Sequence, residues 1–316
     1  MKSDCEEFGH YPVLHREIVE FLSRDQGRLR MVDGTLGCGG HSSLILKENQ
    51  QAELLGIDRD GDALERAAKA LDFASDRIHL FRGNFSELTE YMTELEWSSV
   101  DAILLDLGIS SPQIDDAERG FSLRLNGPLD MRMDQRNPVS ASRVLNYESE
   151  EELGRIFRDY GEVRQWRKLA WRTVQQRELK AFDTTAGFAE FCESVLGRAR
   201  PGKLPTPTLC FQALRIAVND ELGELERGLE AALEALASGG RLAVISFHSL
   251  EDRIVKNFFR NLEQDCVCPP KCPVCICGGN RARLKILTKK PVTASRSELT
   301  ENSRSGSAKL RVAEKI

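Results

Sequence analysis

Short apolar runs alternate with helical patterns along the first third of the chain. Each run has the length of a strand and is bounded by a turn or by a helical stretch, which is the pattern of a buried β-strand. The predicted strands are Leu29–Asp33, Glu53–Asp58, Ile78–Arg82 and Val100–Asp106. The predicted helices between them are Ser42–Glu48, Asp62–Leu71 and Glu87–Glu94. Strands with intervening helices predict an α/β fold with a parallel, doubly wound sheet and right-handed crossovers.

After Gly108 the pattern becomes helical and rich in charge. The helices predicted there are Glu148–Tyr160, Gln165–Arg177 and Ala186–Gly197, and the stretch is closed by Pro201, Pro205 and Pro207. The α/β pattern then returns with helix Asn219–Ala237, strand Gly240–His248, helix Leu250–Leu262 and strands Arg283–Leu287 and Lys309–Ala313. We therefore predict a discontinuous α/β domain, residues 1–112 and 211–316, with an all-helical insertion, residues 113–210.

A glycine-rich turn follows the first predicted strand. The stretch Asp33-Gly-Thr-Leu-Gly-Cys-Gly-Gly-His41 lies between that strand and a helix, and Asp58 follows Asp33 after 25 residues. Glycines let a backbone approach a ligand closely, and the start of a helix offers unpaired N–H groups. A carboxylate at about this spacing is typical of one that binds ribose hydroxyls. The pattern predicts a nucleotide-type cofactor site at the carboxyl edge of the sheet.

The residues around the turn distinguish between cofactors. A phosphate loop would place a lysine where Gly40 stands and a serine or threonine where His41 stands. A dinucleotide site would not place a carboxylate such as Asp33 just before the turn, because that carboxylate repels pyrophosphate. A ligand with a positive amine and a sulfonium suits it, and S-adenosylmethionine fits best. A glycine turn with a structural role only is the alternative.

The fourth predicted strand ends in a polar cluster. Asp106 is followed closely by Ser110, Ser111, Pro112 and Gln113, which would reach the ligand crevice. Enzymes that methylate exocyclic amines of bases commonly carry an Asp/Asn/Ser-Pro-Pro-aromatic loop here, whose oxygens accept from the amine. Ser111-Pro112 matches that motif in part, and an ordinary turn is the alternative. The chain has no Pro-Cys dipeptide, so methylation of a ring carbon through a thiolate is disfavoured.

Composition narrows the class further. With 41% hydrophobic and 29% charged residues, the chain reads as an ordinary soluble globular protein. Because it has neither an apolar stretch of membrane-spanning length nor a signal peptide, we expect no membrane contact and a cytoplasmic location. A net charge of −5 argues against a non-specific nucleic-acid coat. Two basic stretches, residues 155–180 and 281–316, are either solvated faces or local phosphate-binding surfaces.

Five of the nine cysteines are clustered near the C-terminus. These are Cys266, Cys268, Cys272, Cys275 and Cys277. They supply enough thiolates for a structural zinc site, but the spacing is cramped and lacks two well-separated Cys-x-x-Cys arms. Two interpretations remain, a zinc site and a reduced loop without metal, and the spacing favours the loop without metal.

Seven long motifs together resemble one family. They are His10–His15, Asp33–Ser42, Leu104–Gln113, Asp116–Ser122, Gly127–Asp134, Phe211–Asn219 and Ile245–Arg253. Across nearly the whole chain they are similar to the bacterial ribosomal RNA small-subunit methyltransferase H family, also called MraW. The resemblance implies a class I, Rossmann-like S-adenosylmethionine-dependent methyltransferase sheet with an inserted helical domain. It further implies methylation of the N4 amine of one cytidine in the decoding region of 16S rRNA.

Carried over by motif, the resemblance implies a set of site residues. Those expected to contact the cofactor are Gly39, Gly40, His41, Asp58, Phe85, Asp106 and Gln113. Those expected at the reacting base are Asp106, Ser110, Ser111 and Pro112. Phe85 would offer an apolar face to adenine, although its spacing alone favours a core position. His248, just after a strand, is expected to be structural more readily than a general base.

The insertion resembles the substrate-recognition domain of the family, so its basic helices are candidates for contact with rRNA in the small subunit. Candidate phosphate contacts are Arg155, Arg164, Arg167, Lys168 and Arg172, and Trp166 or Trp171 would stack on a base. The same alternation fits a core face whose arginines extend to solvent. Two other functions stay open, a nicotinamide-dependent oxidoreductase and a non-catalytic RNA-binding assembly factor. Homodimer formation also stays open.

Overall fold

The computed structural model describes residues 12–23, 27–199, 205–266, 268 and 276–316. Several residues singled out above lie outside these ranges, namely His10, Pro201, Cys272 and Cys275. Within the described residues the chain divides into two compact units, the first of residues 1–108 and 224–316 and the second of residues 109–223.

A seven-stranded sheet forms the centre of the first unit, in the order β3-β2-β1-β4-β5-β7-β6. Its strands are β1 Leu29–Asp33, β2 Ala52–Asp58, β3 Ile78–Arg82, β4 Val100–Asp106, β5 Leu236–Ser246, β6 Leu284–Ile286 and β7 Lys309–Lys315. Strands β1 to β5 pair in parallel, while β7 pairs antiparallel with both β5 and β6. The predicted α/β fold class is confirmed.

The described helices surround this sheet or build the second unit. In chain order they are α1 His15–Leu22, α2 Gly40–Glu48, α3 Gly61–Ala70, α4 Leu88–Glu94, α5 Ser111–Asp115, α6 Ala141–Tyr147, α7 Glu150–Asp159, α8 Trp166–Leu179, α9 Thr185–Leu196, α10 Pro207–Asn219, α11 Glu221–Ala235, α12 Ser249–Glu263 and α13 Arg296–Glu301. Across the described ranges, none of these helices combines the length and apolarity needed to cross a bilayer.

Alternate residues of the central strands point to opposite faces of the sheet, as the two-residue period of a strand requires. Val32 and Ile103 belong to one apolar cluster, together with Leu229 of α11. Met31 and Leu104 belong to another, together with Ile18 of α1. Because both faces of the sheet are covered, the central strands are apolar along most of their length.

The second unit is built from helices and has its own core. Phe157, Phe188 and Leu145 are buried in it, and so are Phe211 and Leu214 of α10. The unit therefore runs through residue 223, whereas we predicted an insertion of residues 113–210. The boundary differs because the apolar face of α10 packs with the helices before it.

One predicted strand needs correction. We placed a strand over Gly240–His248, whereas β5 begins at Leu236 and ends at Ser246. His248 is the N-cap residue of α12 instead of a strand residue.

Candidate active site

The loop after β1 is fixed to both neighbouring strands by backbone hydrogen bonds. The N–H of Gly34 donates to the carbonyl of Leu104 on β4 at 2.9 Å, and the N–H of Leu36 donates to Ile57 on β2 at 3.0 Å. A Cβ atom on Gly34 would lie 2.7 Å from the side chain of Leu105, so the loop rests directly on the core. The glycine-rich turn is held rigidly at the carboxyl edge of the sheet.

The turn ends at a left-handed residue that starts α2. Gly39 has φ of 78° and ψ of 19° and is the N-cap residue. This backbone conformation strongly favours glycine, because a side chain would clash with the local backbone. Gly40 is the first residue of the helix, and a Cβ there would lie 2.8 Å from the ring of Pro12. The first N–H groups of α2 are thus placed beside the turn.

His41 lies in the first turn of α2 and is buried. Its Nε2 lies 2.8 Å from the carbonyl oxygen of Val13, where it can only donate. Burial lowers the pKa of His41 to about 4, against a partly offsetting effect of the hydrogen bond to Val13. The ring is therefore neutral near pH 7, with its proton on Nε2 and a lone pair on Nδ1.

Three carboxyl groups converge at this edge, one at the end of each of three adjacent parallel strands. Asp33 ends β1, Asp58 ends β2 and Asp106 ends β4. In the register of the sheet, Asp33 lies opposite Gly56 of β2 and Leu104 of β4. The three side chains therefore share one small region of the first unit.

Two of the three carboxyl groups, those of Asp33 and Asp58, are held in place by hydrogen-bond donors. The hydroxyl of Ser42 donates to Asp33 Oδ2 at 2.6 Å. The N–H of Gly37 donates to Asp58 Oδ2 at 2.8 Å, and the N–H of Asp60 donates to Asp58 Oδ1 at 2.9 Å. These bonds fix the orientation of both carboxyl groups before any ligand arrives.

Burial and mutual repulsion make these groups hard to ionise. Burial, with a contribution from Asp58, raises the pKa of Asp33 to about 6. Burial, with contributions from Asp33 and Glu251, raises the pKa of Asp106 to about 8. The pKa of Asp58 is raised as well, mainly by burial. A cation bound here would favour ionisation of these groups and would be attracted in return.

The side chain of Asp106 can accept a further hydrogen bond. Its backbone N–H donates to the hydroxyl of Thr35 at 2.6 Å, which fixes the end of β4. Its Oδ1 is buried without a hydrogen-bond partner among the described residues. Its Oδ2 lies 3.7 Å from Nδ1 of His41, which is not an ion pair because the His41 ring is neutral. An unsatisfied buried acceptor of this kind suits a ligand that brings a donor or a positive charge.

Three of the four residues predicted to lie at the reacting base, namely Ser110, Ser111 and Pro112, are at the start of the second unit. Ser110 is the N-cap residue of α5, and Pro112 lies in the first turn of that helix. The Oε1 of Gln113 accepts from the N–H of Ser110 at 3.0 Å, and the Ser110 side chain accepts from the backbone of Gln113. Gln113 is thus a helix-capping residue in the structure, and its contact with the cofactor stays a prediction.

Phe85 is placed in the core instead of at an open face. Its side chain is 4% exposed and belongs to the cluster around β1 and β4. It lies against the backbone of Gly34 and Gly228, neither of which has room for a Cβ atom. The expected contact of this ring with adenine therefore stays a prediction, and its packing beneath the loop is the observed role.

His248 caps a helix. Its Nδ1 accepts from the N–H of Glu251 at 3.3 Å, while Glu251 Oε2 accepts from the N–H groups of Phe247 and His248 at 2.8 and 3.1 Å. This reciprocal arrangement is a capping box. The structural interpretation of His248 accounts for these contacts.

The tryptophans of α8 occupy different environments. Trp166 is half-buried against the second core, with the guanidinium groups of Arg158 and Arg167 at 5.3 and 4.2 Å from its ring. A Cβ on Gly154 of α7 would lie 2.9 Å from the Trp166 ring, so the two helices approach closely there. Trp171 is 47% exposed. Of the two rings, Trp171 is the one available for stacking on a base.

Two of the predicted phosphate contacts already have protein partners. Arg155 pairs with Glu152 and also donates to the hydroxyl of Tyr160 at 3.1 Å. Lys168 Nζ donates to the carbonyl of Val195 at 2.6 Å. The remaining candidates are exposed side chains, namely Arg164, Arg167 and Arg172.

Sequence reasoning missed three residues that support the site. These are Thr35, Ser42 and Glu251. The capping-box pattern His248-Ser-Leu-Glu251 was a usable signal for the last of them. The roles of Thr35 and Ser42 depend on the pairing of β1 with β4 and on the direction of α2, which no local pattern states.

The chain is similar to known proteins along nearly its whole length. A profile of the MraW methylase family matches residues 7–316. The chain is 48% identical over 311 residues to the ribosomal RNA small subunit methyltransferase H of Carboxydothermus hydrogenoformans, covering 98% of this chain and 99% of that one. It is also 48% identical over 314 residues to the protein of that name from Heliobacterium modesticaldum, with 98% and 99% covered.

Among solved structures, the chain is similar to a methyltransferase from Streptococcus mutans in complex with SAH. That similarity has a TM-score of 0.46 at 12% identity and covers 97% of this chain and 99% of the other.

Proposed function

Because this chain belongs to the MraW methylase family, we propose that it methylates the N4 amine of one cytidine in the decoding region of 16S rRNA. S-adenosylmethionine is the proposed methyl donor, and rRNA within the small ribosomal subunit is the proposed partner. The coarse activity, rRNA methylation, follows the names of relatives that this chain matches along nearly its whole length. The choice of the N4 amine of a cytidine in the decoding region is what the resemblance to this family implies, and the buried acceptor atom Oδ1 of Asp106 is compatible with an amine.

The convergence of Asp33, Asp58 and Asp106 around a rigid glycine turn supports the donor most directly. S-adenosylmethionine supplies a methyl group on a positively charged sulfur and also carries an amine. Acidic groups with raised pKa values gain from such a ligand, because a nearby positive charge stabilises their ionised form. Pyrophosphate would instead meet three carboxyl groups, which disfavours a dinucleotide.

Different residues are assigned to different parts of S-adenosylmethionine. Gly39, Gly40 and His41 bring the start of α2 to the methionine part. Asp58 accepts one backbone bond on each oxygen, and each oxygen keeps a lone pair for a ribose hydroxyl. Phe85 underlies the loop on the adenine side, and Asp106 and Gln113 are assigned to the reactive end.

The reacting amine is assigned to Asp106, Ser110, Ser111 and Pro112. The buried Oδ1 of Asp106 can accept from an amino group, which draws the nitrogen lone pair out of conjugation with the ring. In the transfer, the new N–C bond would form as the S–C bond breaks, with S-adenosylhomocysteine as the leaving group, and the methylated nitrogen would then lose its proton to water. Correct alignment supplies much of the rate enhancement of such a transfer, so the chain needs no nucleophile of its own.

Methylation of isolated small subunits tests the proposal. Subunits from cells that lack this enzyme are incubated with the protein and methyl-labelled S-adenosylmethionine, and the rRNA is digested to nucleosides. We expect the label in N4-methylcytidine. We expect Asp106→Asn to lower the rate by about a hundredfold, the size of the effect of a misaligned reacting group.

The control variant is Asp101→Asn, at the opposite end of the same strand, where the carboxylate accepts from the N–H of Arg30. It should methylate at the wild-type rate. Label in another nucleoside would refute the N4 assignment. Binding of the subunit without any label would favour a non-catalytic assembly factor, and retention of NAD in place of S-adenosylmethionine in equilibrium dialysis would favour an oxidoreductase.

A further inference from the structure

Hydrogen bonds join the two ends of the segment between α12 and β6. The N–H of Arg283 donates to the carbonyl of Leu262 at 2.8 Å, and the N–H of Ile286 donates to Glu263 Oε1 at 3.0 Å. These bonds bring the end of α12 next to the start of β6. They also bring residues that are distant along the segment close together.

Three thiols meet in this segment. The Sγ atoms of Cys266, Cys268 and Cys277 all lie within 4.8 Å of one another. The Sγ atoms of Cys266 and Cys277, which are 11 residues apart in sequence, are separated by 3.6 Å. In a ZnS₄ tetrahedron with Zn–S bonds of about 2.3 Å, neighbouring sulfurs are roughly 3.8 Å apart. The observed separations are therefore close to those that one metal ion would impose.

The backbone next to the three thiols contacts one of the sulfur atoms. The N–H of Ile276 donates to Sγ of Cys268 at 3.3 Å, a bond that stabilises a thiolate more than a thiol. Gly278 and Gly279 follow Cys277 with φ of 82° and 63°, and the chain turns back sharply there. Among the described residues of this segment, the side chain of Ile276 is 80% exposed and does not contribute to an apolar core.

We propose that Cys266, Cys268 and Cys277 bind a Zn²⁺ ion that fastens this segment. Thiolates are soft ligands and select zinc over the hard cations Mg²⁺ and Ca²⁺. Three thiolates fill three corners of a tetrahedron, and the fourth is left to a further donor. This assignment revises the loop without metal that the cramped spacing favoured, because the fold removes that objection by bringing Cys277 back to the first two thiols.

A disulfide accounts for the cluster less well. A bond between Cys266 and Cys277 would require their sulfurs to close from 3.6 Å to about 2.05 Å. It would also not account for the thiol of Cys268, which lies within 4.8 Å of both sulfurs. Zinc uses all three.

Metal analysis of the full-length protein tests the site. Protein purified with a non-thiol reductant is dialysed against metal-free buffer, and its zinc is measured by mass spectrometry. We expect about one zinc per chain. Loss of a direct ligand in Cys266→Ser or Cys277→Ser should weaken zinc binding by more than the 10- to 100-fold typical of an outer-shell partner. The control Cys38→Ser, in the glycine turn after β1, should keep its zinc.

Cobalt gives a second readout that does not depend on the variants folding. Zinc-free wild-type protein titrated with Co²⁺ should develop the sulfur-to-metal charge-transfer band of tetrahedral thiolate coordination. Absence of that band with all thiols reduced would overturn the proposal. So would zinc that persists in the Cys266→Ser/Cys277→Ser double variant, or a Cys266–Cys277 disulfide found by peptide mapping of protein purified without reductant.

Discussion

At the scale of single residues, Asp106 couples ligand binding to pH. Its pKa is raised from 3.8 to about 8, so the carboxyl group of the unliganded protein is mostly neutral at pH 7. In the unliganded protein the raised pKa of Asp106 favours the folded state at low pH. This favourable contribution to the free energy of unfolding is lost as pH rises from about 4 to about 8. A bound cation acts in the opposite direction, because it stabilises the carboxylate.

We therefore predict that S-adenosylmethionine binds more tightly as pH rises from about 6 to about 8, and that the affinity levels off above the pKa of Asp106. Binding of the cation releases the proton of Asp106, and one such proton changes the affinity by at most about tenfold per pH unit. Isothermal titration calorimetry in buffers of different ionisation enthalpy measures both the affinity and the proton release.

Two comparisons isolate the charge. S-adenosylhomocysteine has the same amine but no sulfonium, so its affinity should change less with pH. Asp106→Asn, which cannot ionise, should bring the two ligands to the same pH dependence. Equal slopes for the two ligands in the wild-type protein would contradict this account of Asp106.

A glutamine and a histidine illustrate how much of a residue's role can be predicted from the local sequence. Gln113 and His248 both lie beside the expected ligand region in sequence, and both act as helix caps in the structure. The patterns Ser110-Ser-Pro-Gln113 and His248-Ser-Leu-Glu251 contain that information locally. The raised pKa values of Asp33 and Asp106 were not available in this way, since they depend on burial and on contacts between strands.

At the scale of helices and strands, we expect the two tryptophans of α8 to have different roles, Trp166 in packing and Trp171 in RNA binding. Trp166 packs against α7 and the second core, whereas Trp171 is 47% exposed. We predict that Trp166→Ala lowers the free energy of unfolding of this unit by about 3 kcal/mol, as expected when a large packed ring is removed. Trp171→Ala should leave that free energy within about 0.5 kcal/mol.

Binding to the small ribosomal subunit should depend more on Trp171 than on Trp166. We expect Trp171→Ala to weaken binding to the small subunit by about 1–3 kcal/mol, the usual contribution of a stacked base. Trp171→Phe, which keeps a stacking ring, is the matched control and should retain most of the affinity. Chemical denaturation and filter binding measure the two quantities, and a Trp171 variant with unchanged affinity would remove this ring from the RNA surface.

Strands were predicted more accurately than helices. The bounds of β1, β3 and β4 agree residue for residue, because each is a short run with clear ends. Strands β1 and β4 are largely buried, whereas β3 is half-buried along most of its length. Five helices were missed, namely α1, α5, α6, α10 and α13. In α10 the prolines 205 and 207 suggested the end of a segment, whereas Pro207 is the first helical residue, a position that suits proline.

At the scale of the whole molecule, the acidic balance limits how rRNA can be bound. A chain of net charge −5 must contact phosphate through a small local surface. The exposed candidates on and beside α8 are Arg164, Arg167 and Arg172. We predict that their joint replacement by glutamine reduces the slope of log K against log salt concentration by about 2, as three single-strand phosphate contacts imply.

A charge-matched control checks that the effect is local. Arg28, Lys47 and Lys69 are exposed cations of the first unit, and their joint replacement changes the net charge equally. That variant should keep the wild-type salt slope in the same filter-binding titration. An equal loss of slope in both variants would point to overall charge instead of an arginine surface.

The order of the strands in the chain has a consequence for synthesis. The central strand β4 pairs with β5, yet the stretch from the end of β4 at Asp106 to the start of β5 at Leu236 contains the whole second unit. Ribosomes add roughly 5–20 residues per second, so the apolar edge of β4 emerges about ten seconds before its partner. During that interval the nascent chain carries an open strand edge, which is where chaperone capture or misassociation would act first.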